Sequence, residues 1–103
     1  MAHDADDKRL SSEVKAKWCA ALRSGEYEQG QGLLHDPQDN TFCCLGVLQH
    51  ITGLPKVDSD MEFLDYEKAA EIGLSVDAQT ELADQNDGGS PFTQIAKYIE
   101  EHL

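Results

Sequence analysis

Glycine interrupts this chain at intervals that leave room only for short helices. Gly25, Gly53, Gly73 and the Gly88-Gly89 pair each follow a run of helix-forming residues. Glycine just beyond a helix takes the left-handed turn that closes it most readily. Between these stops the apolar residues recur at helical spacing. Val14, Trp18, Ala21 and Leu22 stand at i, i+4, i+7 and i+8, which predicts a helix over residues 13–23 with Trp18 as a core anchor. Ser11 or Ser12 is placed to cap it. Cys44, Val47, Leu48 and Ile51 share one face of a helix over 45–52 that starts as early as 43 and stops at Gly53 and Pro55. Helices follow over 66–72 and 77–86, the second with Ala78, Leu82 and Ala83 on one side, and Leu74 and Val76 are expected to pack between them. The clearest stripe is the last: Phe92, Ile95, Ala96, Ile99 and Leu103. Ser90-Pro91 precedes it as an N-cap serine followed by a first-turn proline.

The segment between the first two helices reads differently. Residues 26–32, with Gly30 and Gly32, form a shaped loop, and no Gly-Lys-Ser/Thr ending makes it a phosphate loop. Residues 33–35 and 41–43 flank the turn Asp36-Pro37-Gln38-Asp39-Asn40, which predicts a small β-hairpin. Gly46 falls inside a helix, where it is costly unless something packs closely against it. Residues 61–64 alternate weakly and read as a short strand or an apolar loop over the core. The expected fold is mainly α (α+β): four to five short helices around one core, with the hairpin between helices 1 and 2. At 103 residues there is material for a single core. Residues 1–10 are expected as a flexible polar arm and residues 11–103 as one globular domain.

Charge limits function more than it limits fold. The chain carries 20 Asp and Glu against 8 Lys and Arg, a formal net charge of -12. Residues 1–51 hold 8 acids and 5 bases, whereas residues 52–103 hold 12 acids and 3 bases. Such a chain does not bind a phosphate backbone directly, and it has neither a polybasic anchor nor an apolar run long enough to span a bilayer. The N-terminal residues MAHDADDKR lack the apolar stretch of a signal peptide, so a cytoplasmic setting is expected. Three readings of the acidity compete: a solubilising surface, adaptation to high salt, and an acidic face that meets a basic partner. Glu67 and Glu71 lie at i, i+4, and Glu81 and Asp84 at i, i+3. Such like-charge pairs cost a helix slightly and point to a basic partner.

Catalytic chemistry is poorly supported. Cys19, Cys43 and Cys44 are an odd set without a secretion signal, so free thiols are expected. Phe42 to Leu48 is an apolar run, and cysteine in such a run usually packs as a small hydrophobe. A thiol- or metal-dependent module built on Cys43, Cys44 and His50 is the alternative, though no CxxC pair supports it. Asp58, Asp60 and Glu62 alternate but lack the glycine and final glutamate of a calcium loop. No nucleophile elbow and no HExxH are present, so no catalytic, cofactor-binding or metal-binding residue is assigned.

The string Trp18-Cys-Ala-Ala-Leu-Arg-Ser-Gly-Glu-Tyr-Glu-Gln-Gly-Gln-Gly-Leu-Leu, followed by Phe42-Cys-Cys-Leu-Gly-Val-Leu, resembles a group of small uncharacterised phage and prophage proteins. Leu82-Ala-Asp-Gln-Asn-Asp-Gly and Pro91-Phe-Thr-Gln-Ile-Ala-Lys-Tyr-Ile-Glu look similar to the later part of that group. The resemblance covers about residues 14–51 and 80–100. It carries no activity residue by residue and implies a phage or bacterial setting. Together these readings give a non-enzymatic protein that binds a basic surface of a host protein, where it blocks a nucleic-acid groove. The expected contact residues are Glu62, Asp65, Glu67, Glu71, Glu81 and Asp84. A salt-adapted structural protein is a further alternative, and a second copy of the chain is a candidate partner, because a small core gains from added burial.

Overall fold

The computed structural model describes residues 10–31, 33–54 and 63–103. Among them, five helices surround one core beside a three-stranded sheet. The chain order is α1 (Ser12–Arg23), β1 (Glu28–Gln29), β2 (His35–Asp36), β3 (Thr41–Phe42), α2 (Cys44–Thr52), α3 (Tyr66–Glu71), α4 (Val76–Asp87) and α5 (Phe92–His102). This is the mainly α architecture that the helical stripes predict.

Helix α1 buries Trp18, Cys19 and Leu22, with Val14 and Ala21 packed partly against the same core. Trp18 is fully buried, and its indole Nε1 donates to the Cys44 carbonyl at 2.9 Å. The ring thus enters the core without losing the hydrogen bond its N–H had in water. Gly25, at φ 80°, turns the chain out of the helix. Ser11 holds the N-cap position but makes no side-chain cap; its N–H donates instead to the Ile72 carbonyl at 3.1 Å. Leu10 is buried in the core, so the packed structure begins inside the expected arm, whose residues 1–9 lie outside the described residues.

The expected hairpin forms. β2 and β3 pair antiparallel, His35 opposite Phe42 and Asp36 opposite Thr41. Asn40 closes the turn at φ 56°, a backbone region asparagine tolerates better than most residues. The sheet also has a strand the sequence did not announce. β1, expected as part of a loop, pairs parallel with β3, with Glu28 opposite Thr41 and Gln29 opposite Phe42. The strand order is therefore β1-β3-β2.

Helix α2 follows β3 directly and plunges into the core. Cys44, Leu45, Gly46, Val47 and Leu48 are all buried, so its first turns have no wet side. Gly46 is required there: a Cβ at that position would sit 1.7 Å from the Leu34 carbonyl oxygen. The close approach of the Leu34 main chain, just before β2, to α2 thus explains a glycine that helix propensity disfavours. Gly53 ends the helix at φ 76°, with its N–H on the Gln49 carbonyl.

The second half completes the core. Asp65 caps the short α3, its carboxylate accepting from Lys68 N–H, and Ser75 caps α4 by accepting from Ala78 N–H. Leu64, Ala69 and Leu74 are buried in the core, whereas Val76, expected to pack, is exposed. Of the weak 61–64 segment, residues 61 and 62 lie outside the described residues. Helix α5 starts at Phe92 with Pro91 as its N-cap residue, one position later than the serine–proline reading placed it. Its stripe of Phe92, Ile95, Ala96 and Ile99 is buried and packs most extensively against α1. Among the described residues, no helix is long and apolar enough to cross a membrane.

Candidate functional site

Helix α4 sets acidic residues on one side and core residues on the other. Its buried residues are Gln79, Leu82 and Asn86, at i, i+3 and i+7. The turn of 100° per residue places Asp77, Glu81 and Asp84 on the opposite side, and all three are exposed. No Lys or Arg occurs between Lys68 and Lys97, a span that holds Glu71, Asp77, Glu81, Asp84 and Asp87. Among the described residues, no ion pair engages Asp77, Glu81 or Asp84. The Glu81 carboxylate accepts from Gln85 Nε2 at 3.0 Å. Among the described residues the face is therefore a short acidic stripe without a compensating cation, on a helix whose other side is locked into the core.

The expected contact residues divide between helices. Glu81 and Asp84 belong to the α4 stripe, and Asp77 completes it, a residue the sequence reading passed over. Glu67 and Glu71 are exposed one turn apart on α3, and Glu71 lies 3.9 Å from Lys68. Asp65 is half-buried, with its carboxylate committed to the N-terminus of α3. Glu62 lies outside the described residues, as do Asp58 and Asp60.

The inner side of α4 is unexpectedly polar. Gln79 is fully buried, its amide oxygen accepting from Leu64 N–H at 2.9 Å and its nitrogen donating to the Leu64 carbonyl at 3.3 Å. Asn86 is also fully buried and joins three segments. Its Oδ1 accepts from Cys44 N–H at 3.1 Å and from Gln29 Nε2 at 2.9 Å, and its Nδ2 donates to the Gly30 carbonyl at 2.7 Å. Gln29 Nε2 donates its second proton to the Ser90 carbonyl at 2.7 Å. From the sequence Asn86 is the last residue of the helix over 77–86, with no place in the core assigned to it. Its spacing of four from Leu82 and seven from Gln79 is the signal that it faces inward.

The thiols are arranged for packing. Cys19, Cys43 and Cys44 are free and buried. Cys44 Sγ donates to the Leu82 carbonyl and Cys19 Sγ to the Ala96 carbonyl. Burial raises all three thiol pKa values, that of Cys44 most strongly. Cys43 is the N-cap residue of α2 without a capping hydrogen bond; the amides of Gly46 and Leu45 pull its pKa down against the larger effect of burial. His50 is exposed, its ring edge-on to Tyr27 and Phe42, and His35 stacks on Phe42 at 4.4 Å. Among the described residues, no group of three His, Cys, Asp or Glu side chains converges as a metal site.

Residues 10–61, just over half of the chain, match a family described as Domain of unknown function (DUF8296). The chain belongs to the DUF8296 family. No curated protein and no solved structure matches it. The matched segment carries α1, the sheet and α2. Its buried Cys44 N–H and its half-buried polar groups at Gln29 and Gly30 are bonded by Asn86, which lies beyond the match. The end of the DUF8296 match is thus no boundary in the packing of this chain.

Proposed function

We propose that this chain is a non-catalytic binding protein of a phage or bacterial setting whose acidic α4 face meets a basic surface on a host protein. The observation that carries the reading is the stripe of Asp77, Glu81 and Asp84, unpaired among the described residues, on the side of α4 opposite its core face. Like charges at this spacing repel and cost the free helix stability. A basic partner relieves that repulsion on contact, and the attraction steers encounter. A groove built for nucleic acid supplies such a surface, so occupancy by this protein excludes the nucleic acid. Glu67 and Glu71 on α3 are a second acidic pair available to the same partner.

The reading favours binding over thiol chemistry for a physical reason. A buried thiol with a raised pKa is protonated at neutral pH, and the thiolate is the nucleophile and the metal ligand. The test is competition. A host protein held by the immobilised chain is released by added duplex DNA if the acidic face occupies a nucleic-acid groove. Retention of that protein by a variant carrying Glu81→Lys and Asp84→Lys contradicts the assignment to α4. Loss on Glu67→Lys with Glu71→Lys instead moves the contact to α3.

A further inference from the structure

A second surface lies where the β1 turn meets the turn between α4 and α5. Gln29, Gly30, Gln31, Asn86 and Gly89 line an open cleft of about 330 Å³. In a chain with 28 charged residues, these five lining residues carry no charge at all. Three are carboxamide side chains and two are glycines, which leave main chain within reach. Gly30 is held to that identity, because a Cβ would meet the Thr41 hydroxyl. Gly89 adopts φ 99° with open space where a side chain would stand.

The cleft is built rigidly. Asn86 is fully buried and fixed by three partners from two segments, Gln29 and Gly30 at β1 and Cys44 at the start of α2. Gln29 Nε2 gives one proton to Asn86 and one to the Ser90 carbonyl. That orientation leaves Gln29 Oε1 as an acceptor without a partner among the described residues, on a half-buried side chain. Gln31 is exposed, and its side-chain amide, a donor and an acceptor together, has no partner among the described residues either.

We infer that this cleft binds a neutral carboxamide group, presented by a peptide main chain or by a glutamine or asparagine side chain of a partner. A carboxamide offers the donor that Gln29 Oε1 lacks and both functions that Gln31 can answer. An ion gains less, because none of the lining residues among those described carries a charge to repay its desolvation. The inference does not depend on the acidic face, which lies on the opposite side of α4 from Asn86.

The test is nuclear magnetic resonance titration of the isotope-labelled full chain with three small probes: N-methylacetamide for the main chain, propionamide for the side chain, and propionate as the charged isostere. The expected result is saturable shifts confined to Gln29, Gly30, Gln31, Asn86 and Gly89 with one or both amides, and none with propionate. The amide that saturates first identifies the source. Gln31→Ala, which removes an exposed side chain, is expected to weaken that binding about fivefold, the loss of one hydrogen bond, with the rest of the spectrum unchanged. Glu81→Lys leaves it unaltered. No saturable shift with either amide, equal binding of propionate, or unchanged affinity in Gln31→Ala overturns the inference.

Discussion

At the scale of single residues, stability is concentrated where polar groups enter the core. Asn86 satisfies the first N–H of α2, the amide of Gln29 and the carbonyl of Gly30 with one side chain. Asn86→Ala strands the buried Cys44 N–H away from water and removes the partners of the half-buried Gln29 and Gly30 groups, and a buried unsatisfied group costs on the order of 1–3 kcal/mol. The expected outcome is a loss of about 3 kcal/mol in urea unfolding, large for one substitution. Gly46→Ala drives a methyl into the Leu34 carbonyl and is expected to cost about 1–3 kcal/mol as an overpacked contact. The thiols contribute a pH dependence with a definite sign. Burial raises the Cys44 pKa above its ordinary 9.0, so the folded state holds the proton that the unfolded chain releases. That stabilisation is complete below pH 9.0 and is lost as the pH rises above it. The melting temperature of the native protein is expected to fall more steeply above that pH than that of Cys44→Ala, and parallel curves contradict the assignment.

At the scale of elements, the sequence revealed helices far better than their inner chemistry. Periodicity of apolar residues located α1, α2 and α5, because in those helices hydrophobic side chains alone mark the buried face. In α4 the same logic pointed to Ala78, Leu82 and Ala83, whereas Gln79 and Asn86 occupy the core positions beside Leu82. An amide at a buried site carries no hydropathy signal, and its partners at Leu64, Gln29 and Cys44 are distant in sequence. β1 was illegible for a related reason: a strand of two residues has no alternation to read, and its pairing depends on β3 being present. The acidic pairs were legible as spacing, but the structure added Asp77 to the α4 stripe and withdrew Asp65 to capping. Because Asp77 and Glu81 stand at i, i+4, Glu81→Gln relieves repulsion along the helix. It is expected to stabilise the free protein by a few tenths of a kcal/mol, measured by thermal melting at low salt, and to weaken partner binding.

At the scale of the whole molecule, the two halves form one packing unit with divided roles. The first half holds the DUF8296 match, and the second half closes its core through α5 against α1 and through Asn86 beneath the sheet. A fragment ending at residue 62 loses α5, the partner of the Trp18 helix, and is expected to lack the cooperative unfolding transition of the full chain when followed by circular dichroism. The helices α4 and α5 therefore support the fold from within while α4 faces outward with its acids. Binding is assigned to that outward face. It is tested most directly by capture of host proteins on the immobilised chain at about 0.05 M and about 0.5 M salt, across which the screening length falls roughly threefold. The native chain and the Glu81→Lys, Asp84→Lys variant are compared side by side. The expected outcome is a protein retained by the native chain at low salt, released at high salt and absent from the folded variant. Equal retention by the variant, or retention indifferent to salt, would contradict it.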